Sequence, residues 1–573
     1  MAPSPPLLLL LLVLTGLGLA AAQPEGPFPP FQQQRSTNAA DAAALRAVFQ
    51  QWGLAAAAGA PEEDPCQKRV WLQSFATNAS IDCGCDAANG ECRITHLNVT
   101  GFWNISVIPP ALFNLTELVS LDLSNNNLSG SIPPEVSNLS KLETWHFNNN
   151  KLSGPFPNES SRLGSLQSLW MFDNYIEGLL PEFIANFTNL TDLRIYGMKL
   201  RGPIPKNFSN LINLEKLDLR SNNLSGSIQQ LLPYRSSRYL YVGENNFSGQ
   251  LPSEIVQSSL ALDISYNPLL NGSLPNIPAD RKWPINYIGT SIDASRTINS
   301  ENLTLLNCLG MKECNRTSYT NPITSFAVNC GGKQKTYQDS LPITFSDDTS
   351  NLGAAGIHVD TDKQWVVSHV GSDPVVSESP GIVNTNQGFL GVDMPELYQT
   401  ARTSRSALSY YVVGLSNGKY TVQLFFAEIV IDSQLNHGPG RRLFNIDIQD
   451  QNIKTDFDIT KEAGGFRRPM NITYEVTVDN PVLKIHLYWN GRGTCCIPYE
   501  GAYGPLVSAI RVFRPKNPNN IPPPTPPRSA RPDNKRRGVV VGIAALCIAM
   551  AVISSSVAYL WWKWVSLVKH PNA

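Results

Sequence analysis

From Ile94 onward, leucine and its aliphatic substitutes return at a fixed spacing. The pattern L-x-x-L-x-L-x-x-N-x-L-x-G-x-I-P starts at Ile94, Leu118, Leu142, Leu166, Leu190 and Leu214, each 24 residues after the last. It recurs slightly shortened at Ser237 and Ser259. A repeat this short cannot close a core alone, so Leu118, Leu121, Leu123, Leu128 and Ile132 and their equivalents must share one core through stacked coils. The spacing predicts eight coils over 94–280, each with one short strand. Asn126, Asn150, Asn174, Asn222, Asn245 and Asn267 recur at the turn after that strand, where an amide can satisfy backbone groups of successive coils.

Before the coils, Asp41 to Trp52 reads as an amphipathic helix, which with Cys66, Cys83, Cys85 and Cys92 predicts a disulfide-stapled cap over 23–93. After them, past a connector at 281–325, the periodicity changes from repeat to alternation. Ser409 to Val413, Tyr420 to Ile431, Leu443 to Gln449, Tyr474 to Val478 and Leu483 to Trp489 are β-rich runs divided by Gly, Asn and Pro. Such runs predict an antiparallel sandwich over 326–514. The fold class is thus an α/β leucine-rich-repeat solenoid followed by an all-β sandwich, plus one transmembrane helix.

The helix is predicted at the far end. Gly538 to Trp562 contains no charged side chain over a length that can cross the hydrocarbon of a bilayer, with Tyr559, Trp561 and Trp562 as interface anchors. At the other end, the apolar run Leu7 to Leu14 closes on Ala20-Ala21-Ala22, which reads as a signal peptide (1–22). Together these predict a single-pass type I protein of the plasma membrane: ectodomain outside, a stiff proline-rich spacer at 515–537, the span at 538–562 and an inner tail at 563–573. Lys535, Arg536 and Arg537 lie on the outer side of that span, against the positive-inside rule, so the signal peptide must set the orientation.

Composition agrees with an outside location and narrows the chemistry. Forty-five Lys plus Arg against 46 Asp plus Glu give a net charge of −1, which argues against nucleic acid as a partner. The seven histidines are scattered along the sequence, so no metal site and no cofactor are expected. Nine cysteines precede the span; beyond the cap group stand Cys308, Cys314, Cys330, Cys495 and Cys496, an odd set whose spare thiol is expected at the vicinal pair. Disulfide candidates are therefore Cys66, Cys83, Cys85, Cys92, Cys308, Cys314, Cys330 and Cys495. Sixteen N-x-S/T sequons stand before the span, at Asn78, Asn98, Asn104, Asn114, Asn127, Asn138, Asn158, Asn186, Asn189, Asn207, Asn223, Asn246, Asn271, Asn302, Asn315 and Asn471, and none after it.

Residues that intervene between the strand leucines point to the concave surface. That row contains His146, Trp170, Phe172, Arg194, Tyr196, Arg220, Tyr239 and Tyr241. Aromatics beside arginines resemble the anchors of protein interfaces, so the row is the candidate partner-binding face. The competing reading is that a glycan or the chain's own second domain covers it.

The cap motifs D-P-C at Asp64 to Cys66 and D-C-G-C at Asp82 to Cys85, with the L-S-G-x-I-P-P repeat at Leu128 to Pro134, resemble the ectodomains of plant leucine-rich-repeat receptor-like kinases. Asn329-Cys330-Gly331-Gly332, Leu397-Tyr398-Gln399-Thr400, Phe426-Ala427-Glu428 and Tyr503-Gly504-Pro505-Leu506 look like a malectin domain. The order matches the plant LRR-malectin receptor-like kinases over nearly the whole chain. That resemblance implies an extracellular peptide or protein ligand and a co-receptor kinase as partners. It also raises cell-wall carbohydrate, since animal malectin binds a glucose disaccharide with aromatic rings and an aspartate. At the matching positions this chain has Thr403, Val430, Ile431 and Val359 in place of aromatics, which argues against a retained sugar pocket. Tyr410, Tyr411, Phe425 and Glu428 remain as carbohydrate candidates, with strand alternation placing some of them in the core.

No catalytic residue is expected. Gly414-Leu415-Ser416-Asn417-Gly418 fits G-x-S-x-G, but it joins two strands, whereas a nucleophile elbow joins a strand to a helix. Kinase motifs are absent, and the kinase that the resemblance implies after Trp561-Trp562-Lys563 is not in this sequence. Three functions are therefore in contention. The chain is a receptor-like protein signalling through a partner's kinase, a shortened form of a receptor serine/threonine kinase, or a wall carbohydrate tether.

Overall fold

The computed structural model describes residues 36–54, 64–73, 77–234, 238–278, 285–293, 309, 322–338, 342–352, 356–360, 364–370, 381–431, 442–480, 482–489 and 504–515. The expected signal peptide, the span Gly538 to Trp562, its tail and the spacer beyond 515 lie outside them. Among the described residues no helix is long and apolar enough to cross a membrane.

The cap helix runs Ala39–Gln51, and the Asn38 side chain accepts hydrogen bonds from the amides of Ala40 and Asp41, satisfying two of the donors that a helix start leaves open. Asp41 is fully buried; it accepts from Arg93 Nε and Nη2 and from the Ile94 amide, each at 2.9 Å, and so ties the cap to the first coil. Cys66 is bridged to Cys83 and Cys85 to Cys92. Closing these loops removes freedom from the unfolded chain at a place where the core is thin.

Parallel strands then stack in step. Leu121, Trp145, Leu169, Leu193, Leu217, Leu240 and Leu262 pair across neighbouring coils, and all are buried in one continuous core. The sheet continues past the expected solenoid end to a further strand at Ile285–Asn286. Short 3-10 turns such as Pro110–Asn114 and Pro134–Asn138 form the outer side, and a second, five-stranded sheet from Glu177–Leu179 to Leu269–Asn271 runs along one flank.

The asparagine ladder holds the turns as its spacing predicts. Asn150 accepts from the Leu128 amide at 3.0 Å and donates to the carbonyls of Leu123 and Phe147 at 2.9 and 3.0 Å. Asn126, Asn174, Asn222, Asn245 and Asn267 repeat the arrangement, each spanning two coils. None of the fourteen described sequon asparagines is buried, which keeps the ladder and the glycan acceptors on separate residues.

The second unit is a sandwich of two six-stranded sheets. One contains Ser325–Cys330, Ile343–Asp348, Gly418–Phe426, Met470–Val478 and Ala509–Phe513; the other contains Trp365–Val370, Ala407–Val413, Phe444–Ile448, Gln451–Phe457 and Val482–Trp489. The G-x-S-x-G segment lies between the strands Ala407–Val413 and Gly418–Phe426, as its turn chemistry requires. Pairing within the sheets is antiparallel except for Val328–Cys330 beside Ser346–Asp348. Every residue of Ala407–Val413 is buried. Its alternate residues Leu408, Tyr410 and Val412 enter the sandwich core, whereas Tyr411 and Val413 join the solenoid's core.

One cysteine expectation is corrected. Cys330 carries a free, fully buried thiol on a central strand, where burial and then the nearby Asp348 carboxylate push its pKa well up and suppress thiolate chemistry. Cys308, Cys314, Cys495 and Cys496 lie outside the described residues.

Candidate binding face and the seam that covers half of it

The concave sheet is open at one end and sealed at the other. Outward residues of the early coils, His96, Asp122, Thr144, His146, Ser168 and Trp170, are exposed or half-buried. Those of the later coils, Arg194, Asp218, Tyr241 and Asp263, are at most 3% exposed. The change falls where the sandwich lies against the coils.

The open end carries a stack built one coil at a time. His146 lies flat on Trp170 with ring centroids 3.9 Å apart, and the Arg194 guanidinium sits 3.8 Å above the same indole. Asp192 holds Arg194 from beside it at 2.8 Å, and Ser168 meets His146 Nε2 at 2.9 Å. Parallel register fixes this order, since residues 146, 170 and 194 are consecutive partners across three strands.

Four of the remaining expected partner residues are buried and Tyr239 is half-buried, which corrects the expectation of an exposed row. Phe172 and Tyr196 stack at 4.2 Å and pack against Ile431 and Val430 of the sandwich. Arg220 is buried, paired with Asp218 and set over Tyr241 at 4.7 Å; Tyr239 is half-buried, with Lys216 over its ring at 5.6 Å. The chain's own second domain covers Phe172 and Tyr196, as the competing reading held.

Polar contacts finish the seam. Glu244 Oε2 accepts from the hydroxyls of Ser221 and Ser406 at 2.5 and 2.8 Å. Tyr266 donates to Ser409 at 2.6 Å and its hydroxyl lies 2.7 Å from that of Tyr411, while Ser409 meets His486 Nδ1 at 2.7 Å. Asn286 donates to Ser368 at 3.1 Å. Gly197, at φ +64°, lets the Trp489 ring in so closely that a Cβ would stand 2.9 Å from it.

Apart from Tyr411, none of these seam residues was among the sequence candidates, yet a signal existed. The position before the ladder asparagine takes left-handed backbone in coil after coil. Asn125, Asn149 and Asp173, residue types that tolerate it, hold the earlier coils, but Ser221, Glu244 and Tyr266 hold the later ones. Side chains that suit the conformation less well mark where contact outweighs local preference.

Comparison with known proteins places both units. Residues 324–510 match the model of the malectin domain, and residues 117–139, 165–187 and 213–234 match that of the leucine-rich repeat. Two similar proteins are the probable LRR receptor-like serine/threonine-protein kinases At1g56140 and At1g56130 of Arabidopsis thaliana. They are 35% identical over 309 residues and 36% over 260, covering 52% and 43% of this chain. The chain therefore joins leucine-rich repeats to a malectin domain and is similar to LRR receptor-like serine/threonine-protein kinases. It spans less than a third of those relatives, 29% and 24% of their lengths. Among solved structures, the LRR ectodomain of the Arabidopsis receptor kinase GASSHO1/SCHENGEN3, in complex with CASPARIAN STRIP INTEGRITY FACTOR 2, matches at 28% identity. Its TM-score is 0.36, over 44% of this chain and 30% of that one.

Within the malectin domain the four carbohydrate candidates are not brought together as a pocket, and each is at most 3% exposed. Tyr410 and Phe425 are core residues; Tyr411 belongs to the seam. Glu428 pairs with Arg442 at 2.7 Å, both at 1% side-chain exposure, and caps the amides of Val430 and Ile431. Strand alternation and a buried ion pair account for them, so they are corrected to structural residues.

Burial sets the pH response of this LRR–malectin unit. Loss of hydration, with Lys484 adding to it, holds His486 near 3, and burial beside Arg402, Arg220 and Arg405 does the same to His369; His146 is also near 3 through burial and Arg194. A histidine depressed below its ordinary value of 6.5 is protonated more readily once unfolded. Its stabilising share is complete above about pH 6.5 and lost as pH falls toward 3. Two seam carboxyls work the other way: burial lifts Asp263 to about 6 and raises Glu244, so they favour folding as pH drops below about 6. Three histidines against two acids predict a lower unfolding midpoint at pH 4.5 than at pH 7, with a shallower slope in His486→Gln. Equal midpoints at the two pH values would contradict this.

Proposed function

We propose that this LRR–malectin chain is a receptor-like ectodomain displayed outside the cell, anchored by the span at Gly538 to Trp562, which holds an extracellular peptide or protein ligand, or a co-receptor, on the open end of its concave sheet. The observation that carries the reading is the half-open face. The coils that the sandwich seals end where the His146–Trp170 stack begins; both rings stay half-buried, and the Arg194 guanidinium that backs the indole is itself buried. A large aromatic positioned before binding contributes affinity at little entropic cost.

Signal output on this reading belongs to a serine/threonine kinase. The relatives' names and the chain's share of their length favour a kinase either on a longer form of this chain, with its ATP-dependent activity there, or on a partner. Burial of Tyr410, Tyr411, Phe425 and Glu428 argues against a wall-carbohydrate role through them.

The test is capture. The ectodomain is immobilised, its retained partner is identified and purified, and the affinity of that partner is measured against His146→Ala/Trp170→Ala. Loss of an aromatic anchor predicts about thirtyfold weaker binding, corresponding to roughly 2 kcal/mol. Unchanged affinity would reject this face.

A further inference from the structure

Between the flank of the solenoid and the edge of the sandwich lies a cleft of about 640 Å³, within the range of sites that hold small ligands. Lys199, Arg201 and Asn223 line it from the coils, and Asn445, Tyr488 and Trp489 from the sandwich. Asn223 is the acceptor of the sequon Asn223-Leu224-Ser225 and is exposed at the start of the strand Asn223–Ser227, directly paired with Arg201.

We propose that the N-linked glycan of Asn223 lies in this cleft and straps the leucine-rich repeats to the malectin domain. The chemistry of the walls fits the first sugars of such a chain. Tyr488 is half-buried, stacked with His486 at 4.9 Å, and offers a phenol face to the C–H side of a pyranose ring. Lys199 and Arg201 supply donors for hydroxyl and acetamide oxygens. The occupant needs no encounter from solution because it is covalently attached at the rim. Order of synthesis favours it as well: Asn223 emerges long before Asn445 and Tyr488, so the sugar is in place when the later-made wall folds over it. The neighbouring sequon supplies the contrast. Asn246 begins the strand Asn246–Gln250 one coil on, is equally exposed, and is not a lining residue of the cleft.

The inference rests on the extracellular reading above, and one experiment separates the two. The secreted ectodomain is digested under native conditions with peptide-N-glycosidase, and release at the Asn223 and Asn246 peptides is followed by mass. Stacking predicts release at Asn223 about tenfold slower than at Asn246, with the gap closing in Tyr488→Ala. Asn223→Gln is expected to quicken protease cleavage between the two domains, and Asn246→Gln to leave it unchanged. Equal release rates, a gap that survives Tyr488→Ala, or an unmodified Asn223 beside a modified Asn246 would each overturn the strap alone. A secreted chain with neither site modified would overturn the extracellular reading together with it.

Discussion

Arg402→Met is expected to destabilise the malectin domain by about 3–5 kcal/mol, the cost of leaving one partner of a buried ion pair uncompensated. Arg402 and Asp348 both have fully buried side chains. The guanidinium donates to both carboxylate oxygens at 2.8 Å, and also to the Asp348 and Ser350 carbonyls. Tyr410 and the Gly331 amide donate to the same carboxylate at 2.6 and 3.1 Å. Removing Arg402 therefore leaves a charge in the core with two neutral donors, and burial together with Asp348 already pushes the Tyr410 hydroxyl far above its ordinary range. Asp348→Asn in the same chain should recover part of the loss, because the remaining group is then neutral. Urea unfolding of the ectodomain, followed in the malectin transition, measures both, and a loss under about 1 kcal/mol for the single substitution would show that this pair does not hold the core.

Legibility from sequence follows from the range of the interaction that fixes each feature. The coils, the ladder and the cap helix were readable because each is set within one repeat or one turn: Leu121 meets its equivalent at a spacing that the chain prints directly. The main sandwich strands were readable for the same reason, by alternation. Tyr410 and Glu428 were misplaced among binding candidates because what satisfies them lies far along the chain. Asp348 is 62 residues from Tyr410, and Arg442 meets Glu428 from 14 residues on, a pairing that no periodicity gives. The seam was hardest. Ser221 faces Ser406 and Tyr266 faces Ser409, contacts 185 and 143 residues apart between units whose patterns differ in kind. Aromatics on a concave strand have the same composition whether a partner or a neighbouring domain covers them, so Phe172 and Tyr196 could not be told from Trp170 by residue type.

Asn150→Ala should cost the solenoid about 1–3 kcal/mol, a larger loss than its small volume suggests. The side chain is fully buried, and its removal strands the Leu128 amide, a group that costs roughly 1–3 kcal/mol when left unpaired away from water; the carbonyls of Leu123 and Phe147 each lose one of two donors and keep those from Asn126 and Asn174. Asp in place of Asn keeps the acceptor for Leu128 but presents no donors to the two carbonyls, so Asn150→Asp is expected to lose at least as much through an added buried charge. Met198 shows how the same position is otherwise filled: the ladder skips that coil, an apolar side chain at 3% exposure takes the place, and the adjacent rungs at Asn174 and Asn222 close on their own neighbours. Asn150→Met tests whether one such gap is tolerated anywhere along the stack or only where the local backbone has been shaped for it. Thermal unfolding of the three variants orders them. If Asn150→Ala unfolds within a degree of the parent, the ladder is a by-product of the repeat and the leucine core alone holds the coils in register.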